Sequence, residues 1–549
     1  MRKNILALSI ATMIGGMGLV GGASANIISL ATGTNTESLP TAADALVLAP
    51  NPDGIGHILI VPYFTTQNGN STLLNIVNTS SVYGKAVKVR FRGASNSDDI
   101  FDFQVFLSPS DVWTANISTG SDGRARLTTT DKSCTLPSVV NGSFVTDRLP
   151  SSYSATEKAA ETREGYIEIL NMADIPEGRY TAAQAGLNTD DSNNPLFTAI
   201  KHVSGVAPCT AATLARLTVD PTTHNDSTAS NNAARQGLAL PSGNLFANWT
   251  IVNVPGAASW TGAAHAIVAY NSTIFNSEDS GYGNLVFHPQ TNAPASSPAS
   301  RTADPLLAGG YETIDSLGVP ATAVPAPIAA SMFDFPDLST PYTINSSDPR
   351  VQAYLLTQSL AVSSVNNEYL TDPTIFGQTD WVFSSPSRRY SVGLDYTTDP
   401  FSRVFSDLGG PGETYFYTGN TSIVNDKICV AVADPVYYDR EESTGAPDGF
   451  VISPGAQQDL TFCGEVSVLS FNNAGGTSVL GAALTRIDID VGFQDGWMTI
   501  PTPGNETSGI GLPVLGNAFM AALNPAVSAG VAGNFGLSFP HRFFRPSAP

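Results

Sequence analysis

The chain has 549 residues, 42% of them hydrophobic and only 13% charged, with 26 Lys and Arg against 47 Asp and Glu for a net charge of −21. That apolar content excludes an acidic disordered chain, and the negative balance argues against nucleic acid or anionic lipid as a partner. With 49 Gly and 37 Pro, the composition points to a turn-rich, mainly β protein long enough for more than one domain.

Residues 1–25 read as a secretory signal peptide. Arg2 and Lys3 precede an apolar stretch from Ile5 to Val20, and Ala23-Ser24-Ala25 supplies small residues for cleavage before Asn26. The apolar run falls short of the roughly 20 residues a membrane span needs, so no transmembrane anchor is expected. Residues 26–50 are rich in Thr, Ala and Ser and are expected to be loosely ordered. Residues 51–289 read as an N-terminal β-sandwich-like domain, with strand-type runs at His57–Phe64, Thr72–Asn78, Lys85–Arg92, Phe101–Leu107, Tyr166–Leu170, Trp249–Val254 and Ala264–Tyr270. In the third run Val87, Val89 and Phe91 alternate with Lys88, Arg90 and Arg92, the period of a strand with one dry and one wet face.

Residues 290–330 are Pro-, Ala- and Ser-rich and mark a linker; residues 331–549 read as a C-terminal β-rich domain with one helix. Asp348-Pro349 suits a helix start, and Val351, Leu355, Ser359 and Val362 keep helical spacing, so one helix is predicted over Asp348–Tyr369. Strands are predicted at Trp381–Phe383, Thr414–Thr418, Ile428–Val432, Glu465–Phe471, Ile487–Phe493 and Trp497–Ile500. The apolar C-terminal stretch makes a weak membrane-span candidate, because Asn517, Asn524, Pro525, Ser528 and Asn534 interrupt it. The fold class expected is two antiparallel β-sandwich-like domains with long loops and one or two short helices.

The chain has four cysteines, Cys134, Cys209, Cys429 and Cys463. An even number in an exported chain suggests two disulfides with three possible pairings; the wide central gap favours Cys134 with Cys209 and Cys429 with Cys463. The tight Cys and His spacings of a zinc site do not occur.

The sequence holds no His-Glu-x-x-His helix, Walker loop or Gly-x-Ser-x-Gly elbow, and its six histidines are scattered singly. No catalytic residue is therefore assigned. Asn188, Asp190, Asp191 and Asn193 crowd one stretch with hard oxygens that could hold calcium, the one cofactor considered, but the spacing misses the twelve-residue loop and its closing Glu. Asp488, Asp490 and Asp495 make a second oxygen-rich stretch, better explained as solvated residues. The densest charge is Asp439-Arg440-Glu441-Glu442, with Arg388, Arg389 and Glu368 as possible partners. Such a cluster suits either loop-fixing ion pairs or sugar recognition, and Asp439, Glu441 and Glu442 are the acids a glycosidase would use. Trp113, Trp249, Trp260, Trp381 and Trp497 are expected to anchor the core.

Several segments carry a resemblance to known proteins. They are Phe106-Leu107-Ser108-Pro109-Ser110-Asp111-Val112-Trp113, Asp131-Lys132-Ser133-Cys134-Thr135, Asn367-Glu368-Tyr369 and Thr379-Asp380-Trp381-Val382, running to Pro386 and Arg388-Arg389. Tyr438-Asp439-Arg440-Glu441-Glu442, Cys463 and Gly496-Trp497 complete the set. Through these the chain resembles a group of uncharacterised exported cell-surface proteins of proteobacteria. The resemblance implies surface exposure, one integrated architecture and no established activity. The expectation is a non-enzymatic structural or adhesive protein of the bacterial envelope or extracellular matrix, able to self-assemble, as an S-layer or filament subunit does. The competing expectations are a secreted polysaccharide-acting hydrolase and a carbohydrate- or calcium-binding module.

Overall fold

Alternating side chains build strands where the sequence places them. The computed structural model describes residues 45–178, 193–219, 236–270, 349–396, 398–405, 415–445, 460–472, 476–504, 511–523 and 533–545. The signal-peptide reading, most of residues 26–50 and the 290–330 linker lie outside the described residues. The first strands are β1 (Val47–Asn51), β2 (Ile58–Thr65), β3 (Asn70–Asn78), β4 (Gly84–Gly93) and β5 (Asp99–Leu107). Next come β6 (Val112–Thr119), β7 (Ala125–Thr128), β8 (Cys134–Leu136) and β9 (Gly142–Ser143). Helix α1 (Ala155–Glu161), closed by a Ser154–Glu157 capping box, leads into β10 (Glu164–Ile175). Helix α2 (Pro195–Ile200), β11 (Leu245–Asn253), β12 (Ala258–Ala263) and β13 (His265–Tyr270) follow. Strand β1 begins inside the segment expected to be loosely ordered.

A seven-stranded sheet, in the order β1-β13-β2-β10-β4-β5-β8, lies over a six-stranded sheet, β12-β11-β3-β6-β7-β9. Their facing side chains share one core, in which Val87, Val89 and Phe91 of β4 join Leu74, Trp113 and Ile251. Pairing is antiparallel throughout these two sheets, as expected of a sandwich.

After residue 348 the elements are α3 (Pro349–Leu360), β14 (Ala361–Val362), β15 (Ser364–Leu370), β16 (Gln378–Ser384), β17 (Val392–Asp395) and β18 (Ser402–Phe405). They continue with β19 (Thr421–Val424), β20 (Lys427–Ala431), β21 (Val436–Asp439), β22 (Thr444–Gly445) and β23 (Thr461–Cys463). The last are β24 (Val466–Phe471), β25 (Arg486–Ile489), β26 (Asp495–Pro501), β27 (Leu512–Pro513), β28 (Leu515–Leu523), β29 (Asn534–Pro540) and β30 (Arg542–Phe544). Two five-stranded sheets dominate, β22-β21-β26-β15-β30 and β25-β24-β16-β28-β29.

The central strands β24, β16 and β28 of the second of these sheets are buried on both faces. Val382, Val466, Val468, Leu515 and Phe519 enter the core of the first half, while Trp381, Phe383, Leu469, Phe471 and Met520 enter a second core under β15 and β26. Phe519 reaches ring centroids 5.5 Å from Trp249 and 6.4 Å from Tyr63, so the largest core takes side chains from both sides of the expected linker.

Two local expectations are corrected. The predicted helix stops at Leu360, whose carbonyl accepts from the Val514 N–H; beyond it Val365 and Tyr369 turn inward at strand spacing as β15 pairs with β26. Tyr415–Thr418 forms a turn, held by the Asn420 side chain, which accepts from the Tyr417 N–H and donates to the Tyr415 carbonyl. The described residues of the C-terminal apolar stretch contribute to the antiparallel pair β28–β29. No helix among the described residues is long and apolar enough to cross a membrane.

Candidate functional site: an aromatic, acidic groove

The residues read as one charged cluster divide between two places. Arg388 and Arg389 are fully buried, on a short 3-10 turn, and pair with acids that the sequence did not point to. Arg388 binds Glu465, and Arg389 Nη2 donates to Glu168 Oε1 at 3.1 Å. Glu168 on β10 also faces Arg92 Nε at 3.4 Å and Arg90 Nη1 at 4.0 Å. Arg90 in turn pairs with Asp99 at 3.3 Å, and Lys88 with Asp102 at 3.3 Å. The face of β4 expected to be wet is therefore dry of solvent: Lys88, Arg90 and Arg92 are at most 1% exposed. Burial pulls the Lys88 ammonium down to about 8 although Asp102 opposes the shift, and it raises the Glu465 carboxyl against the pull of Arg388 and Arg389. This layer joins β4 and β10 to the second half of the chain.

Glu368, Asp439, Arg440 and Glu442 do come together, at the surface. They line a groove of about 980 Å³ with Tyr438, Asp495, Trp497, Leu537 and Phe539. Register explains the assembly. Trp497 of β26 lies directly between Glu368 of β15 and Tyr438 of β21, and cross-strand partners share a face. Two residue pairs further along, and so on the same face, Asp495 opposes Leu370. The opposite face carries Val365, Tyr369, Met498 and Ile500 into the core. The Tyr438 and Trp497 rings stack at 4.4 Å and 14°, and Trp497 is 43% exposed. Leu537 and Phe539 of β29 form the apolar wall.

The electrostatics of the groove are uneven. Arg440 reaches Asp495 at 3.5 Å. Asp439 Oδ1 accepts the backbone N–H groups of Glu441 and Ser443 at 2.8 Å each, which shapes the turn after β21. Slight desolvation raises its carboxyl, but the hydrogen bonds from Ser443 and Glu441 and the Arg440 charge outweigh this and hold it below the usual carboxylate value. Glu441 is exposed and does not line the groove. Trp113, Trp249, Trp260 and Trp381 are core residues as expected; Trp497 is not. A signal for it was present, since Asp495, Trp497 and Thr499 alternate with the inward Met498 and Ile500, which puts Trp497 on the polar side.

Of the calcium candidates, Asn188, Asp190 and Asp191 lie outside the described residues; Asn193 is exposed, beside the Asn194 that caps α2. In the other oxygen-rich stretch Asp488 is taken by Arg486 at 2.7 Å, and Asp490 accepts the Gly492 N–H at 2.9 Å. Among the described residues no three acids, histidines or cysteines are grouped to hold a metal. His57 and His541 are packed in the interior and His265 is half-buried; desolvation pulls His265 down to about 4 and His541 to about 3. Both disulfides form in the favoured pairing, Cys134–Cys209 and Cys429–Cys463, the second between directly paired residues of β20 and β23. Comparison with known protein families, curated proteins and solved structures finds no match to the chain.

Proposed function

We propose that the chain is an exported, non-enzymatic protein of the cell surface or extracellular matrix, with a structural or adhesive role, akin to the proteobacterial surface proteins it resembles. The observation that carries this reading is the pair of disulfides. Disulfides persist where thiols are kept oxidised, outside the cytoplasm, which agrees with the signal-peptide pattern at the N-terminus. A binding role is favoured over a hydrolytic one because, of the three acids a glycosidase would use, only Glu442 is left free in the groove. Asp439 organises a turn, Asp495 neutralises Arg440, and Glu441 stands away from the groove. A glycosidase needs a protonated acid facing an ionised partner across the scissile bond.

Immunogold labelling of intact cells, with fractionation, tests the location. Label on the outer surface is expected, as an ordered coat or fibres; mature protein found only in the periplasm or cytoplasm overturns the reading.

A further inference from the structure

We propose that the groove over β15, β26 and β21 binds a polysaccharide that carries free amino groups. The surface role proposed above supplies the setting in which such a ligand is met; the recognition itself is argued from the groove.

Three features point to this ligand. The first is the platform. The Tyr438–Trp497 stack sits on a paired sheet and leaves Trp497 open, a flat π face for the apolar side of a sugar ring and for an ammonium group above it. The second is charge. Four carboxylates, Glu368, Asp439, Glu442 and Asp495, line the groove against the one guanidinium of Arg440, which is tied to Asp495. Among the described residues no ion pair occupies the Glu368 or Glu442 carboxylate. Such a lining repels uronate and phosphate-bearing chains and attracts amines.

The third feature separates a glycan from a peptide. An extended peptide would dock by adding a strand to an open sheet edge, which requires unpaired backbone groups. Along the groove the outer edge of β15 is already closed by side chains. The Glu368 N–H donates to Asn367 Oδ1 at 2.9 Å, and its carbonyl accepts from Trp381 Nε1 at 2.8 Å. The Leu370 N–H and carbonyl both bond the Thr379 hydroxyl at 2.9 Å. At this edge the groove offers a ligand ring faces and carboxylates, the groups that recognise amino sugars. A volume of about 980 Å³ lies at the upper end of the range for ligand sites and accommodates more than one sugar ring.

Calorimetric titration of the full exported chain with a glucosamine oligomer, its N-acetylated counterpart and a lysine oligopeptide tests the proposal. The free-amine oligomer should bind, and raised salt should weaken it. Trp497→Ala and, separately, Glu368→Gln with Glu442→Gln should each weaken it about tenfold while the melting temperature falls by no more than about 2 °C. Equal binding of the N-acetylated oligomer, equal binding of the lysine peptide, or unchanged binding by Trp497→Ala would overturn it. So would no binding at all. Surface label on cells without binding in the calorimeter defeats this site alone; binding by a protein that never leaves the cell defeats the surface role alone.

Discussion

Glu168→Gln is the sharpest probe of how the two halves of the chain are joined. The substitution keeps the shape of a fully buried side chain and removes the charge shared by Arg389 at 3.1 Å, Arg92 at 3.4 Å and Arg90 at 4.0 Å. Breaking one partner of a buried ion pair costs about 3–5 kcal/mol, because the remaining charge stays desolvated. Each arginine keeps another partner: Arg90 has Asp99, Arg92 donates to the Ser97 carbonyl at 3.2 Å, and Arg389 donates to the Tyr390 hydroxyl at 2.6 Å. The lower end, about 3 kcal/mol, is therefore expected. An unfolding entropy of about 2 cal/mol/K per residue over roughly 350 described residues converts this to a fall of about 4 °C in Tm. Scanning calorimetry of wild type, Glu168→Gln and the exposed control Glu442→Gln measures it, and the control should move by less than about 0.5 kcal/mol. A loss below about 1 kcal/mol for Glu168→Gln would refute the view that this layer is a coupled charge network.

Three more outcomes follow from the same contacts. Burial pushes Asp98 up to about 7 from 3.8, with the Tyr396 hydroxyl at 2.9 Å opposing the shift. The folded state thus holds this proton more tightly than the unfolded one, and the stability it contributes is complete below pH 3.8 and lost as pH rises to about 7. Asp98→Asn should match wild type near pH 4 and melt higher above pH 7; equal melting at both pH values would contradict the assignment. Replacing Cys134 and Cys209 by Ser opens a loop with a sequence separation of 75 and should cost about 4 kcal/mol in urea unfolding. Peptide mapping without reduction checks both bridges, and a free thiol at Cys429 would disprove the second. A Cβ at Gly496 would lie 1.8 Å from the Tyr438 carbonyl oxygen, so Gly496→Ala should force β21 off β26, cost about 1–3 kcal/mol or more, and abolish the amino-sugar titration. Full binding by that variant would show that the stacked pair is not the platform.

Strands were legible wherever neighbouring residues carry the information. The alternation of Val87, Val89 and Phe91 with Lys88, Arg90 and Arg92 names a strand, since side chains in a strand point alternately to its two faces. It does not say what covers each face. The cover for the charged one is Arg389, 299 positions after Arg90 in the chain, and only long-range packing brings it there. Helical spacing in Asp348–Tyr369 was real as far as Leu360; past that point pairing with β26 outweighs a short local pattern.

The sequence by itself determined the mainly β character, the favoured disulfide pairing and the membership of Glu368, Asp439, Arg440 and Glu442 in one charged region. These rest on periodicity, on loop lengths between cysteines, and on the scarcity of charge elsewhere. Tertiary structure alone decided that Arg388 and Arg389 belong to a buried layer with Glu465 and Glu168, and that Trp497 stands in the open beside Tyr438. The physical reason is the same in both cases. A residue's neighbours along the chain set which way it points, but whether that direction leads to water, to a carboxylate or to another ring depends on which distant strand is paired beside it.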